Sequence, residues 1–417
     1  MPERKVLRRL PVASDLHPAY VVWELTLRCD HACTYCGSRA GRSRPDELST
    51  AEALDVVGQL AAMKTREITL IGGEAYLHPG FLEIVAAIKA AGIRPTLTTG
   101  GRGITPELAK QIAAAGMYAA SVSFDGLEST HDLLRAMPGG FRQATAALGC
   151  LKAAGIRTAS NTNLNRVNLT DLEPLYDHLK AQGIDAWLVQ LTVPLGRGAD
   201  RPEMLLQPWQ LIEVMPRVAQ VKRRAFADGI TLMTSSNLGY FGPEETFLRS
   251  IDEGGKEHYQ GCSAGRYGLG IESNGAVKGC PSLQTSHYVG GHTREKSLKD
   301  IWDTAPELAF TRRRTLDDLW GFCRTCEFAE ECMGGCSFTA HALFGRTGNN
   351  PYCHYRARTF ARQGLRERLV MTEGAPGQPF DNGRFRIVVE ALDAPEPQPA
   401  RREELLRVWR GPSVPAP

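Results

Sequence analysis

Ten of the eleven cysteines fall into two groups, and their spacing points to chemistry. Near the start, Cys29, Cys33 and Cys36 lie in LTLRCDHACTYCGSRAG, three thiols within eight residues. A loop that wraps one point can turn all three toward it. Three thiolates hold three irons of a 4Fe–4S cube and leave the fourth iron open to another molecule. The same spacing, taken alone, also suits zinc. The second group is Cys262, Cys280, Cys323, Cys326, Cys332, Cys336 and Cys353. A zinc ribbon would use four of these and leave the others unexplained, so iron–sulfur binding is the fuller reading. Cys150 stands alone in a helical stretch, 141–154, and reads as a small buried hydrophobe.

The elements around these thiols alternate between strand and helix. A strand over 21–27 leads into the first cysteine loop. Ser49 with Glu52 forms a capping box that opens a helix running to about residue 63. Strands follow over 67–71, 94–99, 118–124, 156–164 and 185–191. The helices between them carry readable ends: Gly92 closes one, Thr105 caps another with Pro106 in its first turn, and Gly155 ends the helix through Cys150. Thr170 with Glu173 predicts a further capping box, and 208–228 a long helix. Six β/α units make an α/β fold with a parallel sheet, either an open wound sheet or a partial barrel. Ligands bind such sheets at the carboxyl ends of the strands, where the three-cysteine loop lies.

Texture changes near Gly254. Residues 255–355 are rich in glycine and cysteine and short of long periodic patterns, as in a module held by metal. Beyond them come one helix, a Pro/Gly stretch, a strand candidate over 385–391, a Pro-rich linker and a short charged helix over 401–409. Hydrophobic residues make up 42% of the 417, enough for a large core, and the net charge is +3. That balance argues against a nucleic-acid binder or a membrane-surface protein. There is no apolar targeting segment and no run of about 18 apolar residues. The expected location is the cytoplasm, where thiols stay reduced and clustered cysteines mean metal more often than disulfide.

Context then narrows the chemistry. The second strand ends in IGGEAYL, so Gly72, Gly73 and Glu74 lie beside the cysteine loop. The glycines allow close backbone approach to a ligand, and Glu74 offers a carboxylate to an ammonium. With these motifs, residues 20–245 resemble the radical S-adenosylmethionine superfamily. The resemblance implies a partial (β/α)6 TIM-like barrel, an open iron that binds the methionyl amine and carboxylate of S-adenosylmethionine, and reductive cleavage of that cofactor. It also implies cofactor contacts: Tyr35 against the adenine, Ser123 and Asp125 at the ribose, Asn161 and Asn163 at the methionyl carboxylate, and Gly196, Arg197 and Gly198 around the adenine. Ala75 stands where the family often has proline, and TTG at 98–100 replaces TNG.

The second cysteine group, with GHTREKSLKDIW between its blocks, is similar to the SPASM domain, which holds two auxiliary 4Fe–4S clusters. The family pattern assigns Cys323, Cys326, Cys332 and Cys353 to one, and Cys262, Cys280 and Cys336 to the other. Some relatives supply a fourth ligand just upstream of the Cys262 position. Here that stretch is GGKEHYQ, so the iron is open or takes a side chain such as His258. Pro281 replaces the aspartate that sulfatase-maturing members use as a base, which speaks against that activity.

The expected organisation is an N-terminal extension (1–19), the barrel (20–245), the auxiliary-cluster domain (255–355) and a C-terminal extension (356–417). The expected function is oxidative modification of a peptide or protein, such as a crosslink or thioether, with flavodoxin or ferredoxin as electron donor. The alternative is oxidation of a small molecule, such as a sugar alcohol or a tetrapyrrole side chain. A third reading is an electron-transfer protein without catalysis, which leaves the GGE motif unexplained. About 20 residues precede the first strand, too few for a leader-binding domain. No catalytic base is identified; His131, at a helix start, reads as structural.

Overall fold

The computed structural model describes residues 16–252 and 254–396. Parallel strands β1 (Tyr20–Thr26), β2 (Glu67–Gly72), β3 (Arg94–Thr99), β4 (Ala119–Ser123), β5 (Arg157–Leu164), β6 (Ala186–Leu191) and β7 (Thr231–Thr234) pair in sequence order. Helices α1 (Thr50–Ala62), α2 (Phe81–Ala90), α3 (Pro106–Ala114), α4 (Glu128–Arg135), α5 (Gly140–Ala153), α6 (Leu172–Gln182) and α7 (Leu211–Ala227) supply the crossovers. The seventh strand extends the six-unit reading. Four residues are too few to show a period of two.

The barrel stays open because the free edge of β1 is taken. Strand β8 (Gly268–Ile271) pairs with it in parallel, Tyr20 opposite Gly268, and β9 (Ala276–Lys278) and β10 (Gly291–His292) continue antiparallel. One ten-stranded sheet therefore runs from the cysteine-rich region into the barrel.

Side-chain alternation divides this sheet into two faces. Val21, Trp23, Leu25, Ile68, Leu70 and Leu97 pack into the main hydrophobic core with the helices. The alternate residues form a polar inner wall: Tyr20 Oη lies 3.0 Å from Thr69 Oγ1, which lies 2.8 Å from Thr96 Oγ1. Cys150 on α5 is half-buried against the core, in keeping with its reading as a hydrophobe.

The Ser49–Glu52 box and the Thr105 cap form as the sequence predicts. The Thr170–Glu173 box does not. A 3-10 turn, Leu169–Asp171, precedes α6, and the Glu173 carboxylate pairs with Arg217 on α7 at 2.6 Å instead of capping. A further 3-10 turn, Pro208–Gln210, replaces the predicted first turn of α7. After the helix His354–Ala361, β11 (Leu365–Glu373) and β12 (Arg384–Ala391) form an antiparallel hairpin. Only β12 is legible in the sequence. The charges of LRERLVMTE mask β11, because Arg366 and Arg368 face Glu390 across the pair. The helix predicted over 401–409 lies outside the described residues, as do residues 1–15. Among the described residues, no helix is long and apolar enough to cross a membrane.

Candidate active site

The three-cysteine loop leaves β1 and is clamped to the end of β2. Gly73 N–H donates to Thr26 O at 2.7 Å, and Glu74 N–H to Arg28 O at 2.9 Å. A Cβ on Gly73 would lie 2.2 Å from Arg28 O, so here the glycine serves close approach to the loop's own backbone. Within the loop, Cys29 Sγ accepts from His31 N–H and Cys36 Sγ from Ala40 N–H, both at 3.4 Å. Arg135 Nη1 reaches Cys33 Sγ at 3.6 Å. Burial raises the Cys33 thiol pKa, while the Arg135 charge opposes that shift. N–H donors and a nearby cation favour thiolates, the form that binds iron.

Glu74 is buried, and its oxygens accept from Thr99 Oγ1 and from Gly100 N–H, the latter at 2.7 Å. Burial raises its pKa, and His31, 3.7 Å away, works against that. The TTG sequence thus holds the GGE carboxylate. Asp125 is fully buried, and its carboxylate is occupied. Tyr35 Oη and Arg135 Nε (2.7 Å) donate to Oδ2, and Asn163 N–H donates to Oδ1 at 3.0 Å. The Asp125 N–H donates to His131 Nδ1 at 3.2 Å. Burial pushes His131 down to about 3, which keeps it a neutral acceptor with a structural task.

Tyr35 packs against the cluster of Leu134, Val167 and Met204, with Arg135 over its ring. Ser123 ends β4 opposite Asn161 on β5. Asn161 and Asn163 alternate with the buried Thr158, Ser160 and Thr162, and so lie on the inner wall. Gly196, Arg197 and Gly198 fall in the 3-10 turn Gly196–Asp200, beside the cysteine loop. A Cβ on Gly196 would lie 2.2 Å from Gly37 O. Arg197 is a tether: its Nε donates to Cys33 O at 2.8 Å and its backbone N–H to Cys36 O at 3.0 Å.

Sequence reasoning missed three contributors. Arg135 stands four residues after His131, at the end of α4, and His31 inside the cysteine loop, so the sequence shows both without their partners. Phe380 gave no signal, because it arrives from the β11–β12 loop. There Phe380 N–H donates to Gly37 O (2.9 Å), Asp381 O accepts from Gly196 N–H (2.8 Å), and Arg39 Nε pairs with Asp381 (3.1 Å). The Phe380 ring is buried with Lys278 Nζ 3.9 Å from its centroid.

The later thiols separate into two sets. Cys323, Cys326, Cys332 and Cys353 line one pocket with Phe241, Phe328 and Tyr355. After burial, the charges that most raise Cys332 are those of Cys353, Cys323 and Cys326. Cys336, pushed up to about 12 by burial, answers instead to Cys262 and Cys280. Next to Cys336 in the chain, the Ser337 hydroxyl is buried, as is the amide of Gln284 four residues after Cys280, and neither has a hydrogen-bond partner among the described residues. Orphaned polar atoms beside three thiols fit a site built around a bound group.

Two families of known proteins match this arrangement. The Radical SAM superfamily model covers residues 23–179, and the SPASM iron-sulfur cluster-binding domain covers 262–327. An AdoMet-dependent heme synthase from Methanosarcina barkeri is 30% identical over 83% of this chain and 99% of its own. The mycofactocin maturase MftC of Mycobacterium ulcerans is 29% identical over 76% of this chain and 83% of its own. Streptococcus suis SuiB bound to S-adenosylmethionine shares the fold, with a TM-score of 0.62 at 16% identity over 81% of this chain and 76% of that one. The chain belongs to the radical S-adenosylmethionine superfamily. More narrowly, it is an enzyme of the branch that carries a SPASM domain, with a 4Fe–4S cluster, S-adenosylmethionine and auxiliary iron–sulfur clusters as cofactors.

Proposed function

We propose that this enzyme oxidises a peptide or protein, installing a crosslink or thioether. Bound at the open iron, S-adenosylmethionine supplies a 5′-deoxyadenosyl radical that takes a hydrogen atom from the substrate. The chain's own residues then have three tasks. Cys29, Cys33 and Cys36 hold the first cluster, with Arg135 and Arg197 fixing the loop. Ser123, Asn161 and Asn163 face the cofactor from the inner wall, and Asp125 positions Tyr35 and Arg135 behind it. Cys323, Cys326, Cys332 and Cys353, and separately Cys262, Cys280 and Cys336, hold clusters that accept an electron from the oxidised substrate.

The observation that carries the peptide reading is a row of hydroxyls on the inner wall. Tyr20, Thr69 and Thr96 present hydroxyls, which suit amide groups. Two nearby cations are already matched: Arg44, in the loop before α1, and Lys278, on β9, both pair with Glu272, at 2.8 and 2.7 Å. A polyanionic tetrapyrrole would need unpaired cations there. Its support is the 30% identity to the heme synthase. The test is anaerobic incubation of reduced enzyme with short precursor peptides encoded beside it and, separately, with an iron porphyrin bearing propionates. Loss of a hydrogen pair from one peptide is expected. Altered porphyrin side chains with every peptide intact would overturn the reading.

A further inference from the structure

Tyr240 and Tyr259 pack with ring centroids 4.6 Å apart beside the later cysteines, and both are buried. Their hydroxyls have different fates. Tyr240 Oη donates to Ser236 O (2.8 Å) and accepts from Cys336 N–H (3.1 Å) and Asn350 Nδ2 (3.2 Å). Tyr259 Oη has no hydrogen-bond partner among the described residues, although the residue is only 4% exposed. A buried polar group left unpaired costs about 1–3 kcal/mol.

The surroundings indicate what that hydroxyl faces. Tyr259 lies three residues before Cys262 and packs in one buried cluster with Tyr240, Cys332 and Cys353, with Cys336 against it. None of these sulfurs is its hydrogen-bond partner. Its position is fixed: the Tyr259 N–H donates to Glu245 Oε1 at 2.9 Å, and the Arg249 guanidinium lies 5.5 Å from its ring. A phenol carries one O–H donor, and here that donor meets no acceptor among the described residues.

We propose that the Tyr259 O–H donates a hydrogen bond to a sulfide of the cluster held by Cys262, Cys280 and Cys336, and so sets the potential at which that cluster accepts an electron. This rests on the ligand set given under Proposed function. A donor to cluster sulfur stabilises the reduced, more negative state and raises the potential. Tyr259 is thus a positioning residue for electron transfer, and it leaves the fourth iron corner of this cluster to another ligand.

Tyr259→Phe keeps the ring, its volume and the stack on Tyr240. The test compares the anaerobically reconstituted full chain and this variant by iron count and by EPR-monitored redox titration, with Cys336→Ala identifying which signal belongs to this cluster. The expected result is unchanged iron content, unchanged g values and a lower midpoint potential for that signal alone. An unchanged midpoint overturns the proposal. Lost iron or altered g values also overturn it, because they make Tyr259 an iron ligand. If Cys336→Ala leaves every cluster signal intact, the ligand set itself has failed, which is a separate outcome.

Discussion

Arg135 Nε donates to Asp125 Oδ2 at 2.7 Å, in a pocket where Asp125 is fully buried and Arg135 is 8% exposed. The pair joins α4 to the end of β4, and the second arm of Arg135 reaches Cys33. Removing one partner of a buried pair strands the other, at about 3–5 kcal/mol. Arg135→Met is expected to destabilise the protein by that order, and Asp125→Asn in the same chain to recover part of the loss. A double-mutant cycle by chemical denaturation measures the coupling. Coupling below about 1 kcal/mol would show a pair no stronger than one at the surface.

Glu24 on β1 gives a pH signature. Burial pushes its carboxyl up from the ordinary 4.5 to about 7, with Arg44 working against the shift and Glu272 adding to it. Lys278, paired with Glu272 at 2.7 Å, also lowers it. A folded value above the unfolded one means that the native state binds the extra proton. Stability from this group is full below about pH 4.5 and falls as pH rises to about 7, by at most about 3 kcal/mol. Denaturation at pH 5.5, 6.5 and 7.5 should show that fall in the native chain and a flatter profile in Glu24→Gln. Parallel profiles would mean that Glu24 is ionised in the folded protein.

Most of the barrel is legible in the sequence because its strands and helices each bury one face, so the periods survive in the residues. Ser49 and Thr105 mark helix starts because each hydroxyl accepts the backbone N–H three residues on, a bond between near neighbours. The Thr170–Glu173 pair fails as such a mark because Thr170 falls inside the 3-10 turn Leu169–Asp171, where its hydroxyl donates to Asp171 Oδ1 and Asp171 takes the N-cap place. Distance along the chain hides Phe380, whose place beside Gly37 follows from the docking of a hairpin. Glu74 and Asp125 are visible as charges, but their partners Thr99, Gly100 and Arg135 are fixed only once β2, β3 and α4 come together.

The separation of the later thiols predicts independent iron losses. Cys332→Ala should remove the cluster of the set with Cys323, Cys326 and Cys353, about four irons per chain, and leave the others. Cys336→Ala should remove the other auxiliary cluster by the same amount. The two losses should add, because the sets share no thiol. Iron analysis and absorbance near the sulfur-to-iron charge-transfer band read this directly. If either substitution alone empties both sites, the two sets are one folding unit.

The β11–β12 loop bears directly on the first cluster. Its Phe380 N–H and Asp381 O bind Gly37 and Gly196, while Arg39 ties Asp381 to Asp200 at 3.1 and 2.7 Å. These bonds tie the cysteine loop to the hairpin in addition to its clamp on β2. Phe380→Ala deletes a buried ring beside Lys278 and should cost about 3 kcal/mol, the low end for such a truncation. It should also speed release of the first cluster's iron to a chelator several-fold, with the auxiliary clusters unchanged. Asp381→Ala, which removes the Arg39 pair but keeps the ring, should reproduce the faster release with a smaller stability loss. Equal release rates in all three proteins would show that β2 and Arg197 alone fix the loop.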